Sequence, residues 1–128
     1  LTNITLEFNK DNVDNELVNL VLNKTGLKGL IESLPEGVNT QIGENGFAMS
    51  GGERQRIGIA KLLYAKKEIL IFDESTSNLD SKNKDNFIST INQLSKEKTI
   101  IIISHDENVI KNCSKKYIIK ERKLDQIE

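Results

Sequence analysis

The apolar positions follow three different periods, and each period predicts a different kind of element. Ile4, Leu6 and Phe8 alternate with polar residues, which predicts a short strand. Leu17, Leu20, Val21 and Lys24 recur at helical spacing behind Asp14, a residue type suited to cap a helix, and Gly26 is placed to end it. A shorter helix over Lys28 to Ser33 should stop at Leu34, because a residue before proline is pushed out of the helical region, and Pro35, Glu36 and Gly37 then make a turn. Asn39 to Ala48 holds Gly43 and Gly46 and reads as a loop. From Gly52 to about Ala65 the residues Ile57, Ala60, Leu63 and Tyr64 form one stripe, with Glu53, Arg54, Arg56 and Lys61 left for solvent.

The second half changes period. Ile69 to Phe72 is a continuous apolar run, the pattern of a parallel strand covered on both faces, and it ends abruptly in Asp73 and Glu74. Asp80 or Ser81 caps a predicted helix that turns Phe87, Ile88, Ile91 and Leu94 inward. Thr99 to Ile103 is a β-branched run that ends in Ser104 and His105. Strand, helix and strand in this order predict a βαβ unit with a right-handed crossover. A short helix near Asp106 to Asn112 and two strands, Tyr117 to Lys120 and Leu124 to Ile127, complete the expected elements.

The most informative local pattern is Met49 to Arg56, which contains Ser50, Gly51, Gly52 and Glu53. Serine followed three residues later by glutamate predicts a capping box. Two glycines inside it leave the first turn bare, so that backbone N–H groups and the positive end of the helix dipole face outward, as an anion such as phosphate requires. An ordinary turn that merely starts a helix fits the same residues. At the carboxyl ends of parallel strands, where ligands gather in open α/β sheets, the chain places Asp73 and Glu74 on one strand and His105 on the other. Paired acids there suit a Mg-nucleotide site, one carboxylate serving the metal sphere and the next a water molecule. Turn capping for the acids, a structural hydrogen bond for His105 and a plain helix cap for Asp80 are the competing readings.

Composition sets the limits of these readings. The chain has 128 residues, a formal net charge of −1, one cysteine and one methionine, Met49. With glycine counted, the apolar share is about 43%, close to that of globular domains and unlike a disordered chain. Near balance of charge gives no basic footprint for nucleic acid, and no apolar run approaches the length of a membrane span. Cys113 has no partner cysteine, which fits a reducing compartment. Because the first residue is Leu1, upstream sequence is expected to precede it.

The order and spacing of these motifs resemble the C-terminal part of the nucleotide-binding domain of an ATP-binding cassette (ABC) transporter. Met49 to Glu53 resembles the family signature LSGGQ, with methionine and glutamate as departures at its ends. Ile69 to Glu74 resembles the Walker B strand; Ser77, Asn78, Leu79 and Asp80 resemble the D-loop; His105 resembles the switch histidine. Thr40 to Gly46 is similar to the TxVGExG segment of the exporter type, Leu34 to Gly37 to exporter sequence just before it, and Asn3 and Ile4 to residues shortly after the family's Q-loop. On this resemblance the Ile4, Leu6, Phe8 stretch enters a helical subdomain and is not a strand.

The resemblance implies a P-loop NTPase-like α/β fold that is incomplete, with residues 9–65 as helical signature subdomain and 66–128 as part of the α/β core. It implies ATP and Mg²⁺ as cofactors: Asp73 at the metal through water, Glu74 as the base that polarises the attacking water, and His105 at the γ-phosphate. Ser50, Gly51, Gly52, Glu53 and Asp80 would serve a nucleotide held by a second nucleotide-binding domain in a head-to-tail dimer. A transmembrane domain fused upstream and a place on the cytoplasmic face of the cell (inner) membrane follow from the exporter type, with no nucleic acid as partner. No G-x-x-x-x-G-K-[ST] occurs in the chain, so the phosphate-cradling lysine of the family is absent from it and the chain alone should bind ATP poorly. A soluble ABC-type ATPase unconnected with transport and a catalytically inactive remnant are the alternatives.

Overall fold

The computed structural model describes residues 1–5, 10–43, 47–77 and 79–127. Leu6 and Phe8, the segment 44–46 and Asn78 of the expected D-loop lie outside the described residues. Among these residues six α-helices and four strands run in the order α1 (Thr2–Thr5), α2 (Asn15–Lys24), α3 (Lys28–Ser33), α4 (Gly51–Tyr64), β1 (Ile69–Asp73), α5 (Ser81–Leu94), β2 (Thr99–Ile103), α6 (Glu107–Lys111), β3 (Lys116–Lys120) and β4 (Lys123–Ile127). Single 3₁₀ turns occur at Lys10–Asn12 and Gly37–Asn39.

Among the described residues the named elements of the first half are all helical, with one isolated β-bridge between Ile42 and Phe47. Ile4 is buried in α1, not on a strand, because α1 packs against α4 and its side chain enters the common core. Asp14 caps α2 by accepting from the Leu17 amide at 2.9 Å. The buried stripe of α2 is Val18, Val21 and Leu22, not the Leu17, Leu20, Val21, Lys24 set that the spacing suggests. Leu20 is 52% exposed and Lys24 is exposed, pairing with Glu97 at 3.1 Å. Both registers satisfy helical periodicity, and contact with α4 selects the Val18 face, which continues into buried Thr25 and Leu27. α3 ends where expected, with Leu34 in the extended region before Pro35.

α4 is the packing hub, touching α1 and α2. Its core face is Ile59, Ala60 and Leu63, while Ile57 and Tyr64 are half-buried. The Tyr64 hydroxyl accepts from the Asp14 amide at 3.1 Å and so fixes the start of α2 against the end of α4.

β1 and β2 pair in parallel, with Ile69 opposite Thr99 and Asp73 opposite Ile103. Leu70 and Phe72 point into the core, and Phe72 meets Phe87 of α5 edge-on, with ring centroids 5.4 Å apart at 82°. The expectation of two covered faces is corrected. Ile69 and Ile71 are about three-fifths exposed and Ile101 and Ile103 about half. Among the described residues the helices cover one face, and none forms a second layer. α5 is capped by Asp80, with Phe87, Ile91 and Leu94 buried and Ile88 half-buried. β3 and β4 form a separate antiparallel hairpin, and Glu121 and Arg122 at its tip both have positive φ, as a two-residue type I′ turn requires. The architecture is mixed α/β with two small sheets, an incomplete form of the expected fold.

Candidate functional site

Two clusters contain the residues singled out above. The first is the start of α4. Ser50, extended at ψ 162°, accepts from the Glu53 amide at 3.3 Å, and Glu53 Oε2 accepts from the Ser50 amide at 2.7 Å, so the capping box is closed. The Ser50 amide, followed by its hydroxyl, holds the Glu53 carboxyl below its ordinary range. Arg54 folds back to donate to the Met49 carbonyl, and Met49 itself is buried. Behind Met49 a cleft of about 250 Å³ opens beside Ile42, lined also by Asn3, Arg54, Ile57 and Lys61.

Gly52 is glycine for a visible reason. A Cβ there would stand 2.2 Å from Asn83 Oδ1, so the Asn83 amide occupies the space that a side chain would need. Asp80 holds Asn83 at two points, Oδ1 accepting from its backbone N–H at 2.8 Å and Oδ2 from its side-chain Nδ2 at 2.9 Å. These contacts, the backbone one first, hold the Asp80 carboxyl below its usual value. Asp80 is thus a helix cap and, through Asn83, a neighbour of the first turn of α4, which is not bare as expected, because Asn83 covers Gly52 and buries it.

The second cluster lies at the carboxyl ends of β1 and β2. The parallel register continues one residue past the strands, where the Glu74 amide donates to the Ile103 carbonyl at 2.9 Å. Glu74 sits in the left-handed region at φ 48°, costly for a residue with a Cβ. The turn is held by Ser77, whose amide and hydroxyl both donate to the Glu74 carbonyl, at 3.2 and 2.9 Å. The result places Glu74 Oε1 3.5 Å from His105 Nε2, with the imidazole 98% exposed. Asp73 is exposed beside them at the end of β1.

The loop that presents His105 is braced from below. Asp106 caps α6 through the Asn108 amide at 3.0 Å, its own amide donates to Ser104 Oγ at 3.0 Å, and Lys84 of α5 donates to its carboxylate at 2.6 Å. The Lys84 contact is the main reason that the Asp106 carboxyl lies below its usual value.

The structure therefore brings Glu74 to His105, and Asp80 to Gly52, and joins the two clusters by Gln55. This residue, on the second turn of α4, donates from Nε2 to the Ser75 carbonyl at 2.7 Å. Gln55 stood without a role inside the Met49 to Arg56 stretch and Asp106 only as the start of an expected helix, while Asn83 and Lys84 were not singled out in the sequence. Asn83 had a local signal, since it stands three residues after a capping aspartate; the partners of Gln55 and Lys84 are 20 and 22 residues away and leave no local trace.

Residues 2–77 match the ABC transporter family. The chain is 43% identical over 89 residues to an ATP-dependent lipid A-core flippase of Haemophilus influenzae (strain 86-028NP), covering 70% of this chain and 15% of that protein. It is 42% identical over 90 residues to the alpha-hemolysin translocation ATP-binding protein HlyB of Escherichia coli O157:H7, covering 70% of this chain and 13% of that protein. Among solved structures it is similar to a bacterial Atm1-family ABC exporter with ATP bound, with a TM-score of 0.77 and 30% identity over 97% of this chain and 22% of that one. The chain spans between 13% and 22% of the length of these three proteins. By sequence match and by fold alike, the chain belongs to the ABC transporter family, where it corresponds to the C-terminal part of an exporter-type nucleotide-binding domain.

Proposed function

We propose that this chain is part of an ATP-hydrolysing domain that powers export across a membrane. The observation that carries the reading is the pairing of Glu74 with His105 at the ends of two parallel strands, joined through Gln55 to a glycine-bearing, capped helix start. Residues 9–65 form the signature subdomain and 66–128 contribute to the α/β core. Among the described residues no helix is long and apolar enough to cross a membrane. From the likeness to exporters we assign the transmembrane domain to another part of the protein and this chain to the cytoplasmic face of the cell membrane. The cleft lined by Ile42, a residue of the exporter-like segment, is the surface we assign to that membrane domain.

The donor set suits Mg²⁺ and a nucleotide. No group of three or more His, Cys, Asp or Glu side chains converges among the described residues, which speaks against a caged transition metal. Mg²⁺ instead takes one or two carboxylates together with phosphate oxygens and water, and Asp73 beside Glu74 offers that set. Bound MgATP supplies the electrophilic phosphorus. Asp73 would hold the metal's water shell, Glu74 would orient and deprotonate the attacking water, and His105 would donate toward the γ-phosphate. Phosphoryl transfer depends chiefly on positioning and charge. Glu74 is held in place by a strained turn with three hydrogen bonds, which is how such positioning is achieved.

Ser50, Gly51, Gly52 and Glu53 face away from this pair in role: they would close on the nucleotide of a second nucleotide-binding domain paired head to tail, with Asp80 at the same interface. The test is ATP hydrolysis by the full-length protein and its Glu74→Gln variant. Turnover should fall by about 10²-fold or more if Glu74 is the base; unchanged turnover refutes the assignment.

A further inference from the structure

We infer that Gln55 is a positioning residue that ties the signature helix to the hydrolytic glutamate of the same subunit. The inference rests on the roles proposed above for Glu74 and for the start of α4.

Three observations carry it. Gln55 Nε2 donates to the Ser75 carbonyl at 2.7 Å in a half-buried setting, where an amide finds little water to replace a lost partner. Ser75 directly follows Glu74, which stands at φ 48° and needs its surroundings to keep it there. Gln55 is also two residues after Glu53 of the capping box, on the same rigid turns as Ser50 to Gly52. A displacement of the helix start on engaging a nucleotide is therefore delivered, through one hydrogen bond, to the backbone that sets the direction of the Glu74 carboxylate. Asn83 of α5, seated against Gly52 and held by Asp80, fixes the start of α4 from a second side. Engagement at one nucleotide thus adjusts the water-activating group of the other.

The experiment uses the full-length protein, comparing Gln55→Glu and Gln55→Leu with the unsubstituted enzyme and with Glu74→Gln. Gln55→Glu keeps length and helix propensity while replacing the donor by a group that repels the Ser75 carbonyl. A misplacement of the order of 1 Å costs about 10²-fold in rate, so kcat should fall by between ten- and a hundredfold in both variants. KM for MgATP should stay within about twofold, because binding itself is untouched. In the Glu74→Gln background the same substitutions should cause no further loss, since the group they position is gone. Normal kcat in both Gln55 variants, or an equal additional loss in the Glu74→Gln background, overturns the inference. If Glu74→Gln itself turns over normally, it is the assignment of Glu74 that fails, and the two failures are separately visible.

Discussion

Asn83 Oδ1 occupies the place of a Gly52 side chain, 2.2 Å from where its Cβ would be, and Asp80 prevents the amide from swinging away. Gly52→Ala should therefore destabilise the complete nucleotide-binding domain by about 1–3 kcal/mol, the usual cost of overpacking. Asn83→Ala should recover most of that loss in the double variant. Urea denaturation of the four proteins of the cycle measures the coupling; additive effects would refute the contact.

The capping box gives a pH signature. Ser50→Ala should cost about 1 kcal/mol, as loss of an N-cap does. Glu53 has a folded-state pKa below its ordinary 4.5, so its contribution is fully present above that value and is lost as pH falls through the lower folded one. The stability difference between the wild type and Glu53→Gln should be constant near neutrality and shrink below about pH 4.5. Thermal melts of the complete domain across pH 3–7 show this directly.

Ile71 and Ile101 face each other across β1 and β2, 61% and 47% exposed. An apolar sheet face of this kind, with a free edge on β2, promotes association. The chain expressed alone should be poorly soluble and bind ANS strongly, and Ile71→Lys with Ile101→Lys should raise its solubility without lowering its helix content. In the complete domain, where the family resemblance implies a second layer over that face, the same pair should abolish folding. A sharp two-state melt of the unsubstituted chain as a soluble monomer would contradict the first expectation.

Lys84 and Asp106 hold the loop that carries His105. In Lys84→Met, Asp106 should titrate closer to an ordinary aspartate, the shift being upward because its main stabilising partner has been removed. Amide hydrogen exchange over 104–108 should quicken while exchange in α4 stays unchanged. Carboxyl NMR titration and exchange mass spectrometry read the two effects.

Elements whose signals lie within a few residues were legible in the sequence. The Ser50–Glu53 box, the Asp80 cap, the stop at Leu34 and the apolar runs of β1 and β2 all occur where local chemistry puts them. Features decided by distant packing were not. Nothing near Leu17 and Val18 tells which face of α2 meets α4, and Leu20 is left outside. The run at Ile69 reads as doubly covered, because its residue types are apolar at every position, whereas the packing of the described residues covers only the Leu70 and Phe72 side. The site residues were legible as types at strand and helix ends, while the bonds that aim them, from Gln55 and Lys84, cross 20 or more residues of sequence.

Tyr64 gives α4 a mechanical character. At one end of the helix its hydroxyl receives the first amide of the α2 cap, and at the other Gln55 and Gly52 are joined to Ser75 and Asn83. Fourteen residues of α-helix make a rod of about 21 Å, too stiff to bend under a single hydrogen bond. α4 therefore links the Asp14 amide, beside its last residue, to the Ser75 carbonyl, beside its second turn, through one stiff element.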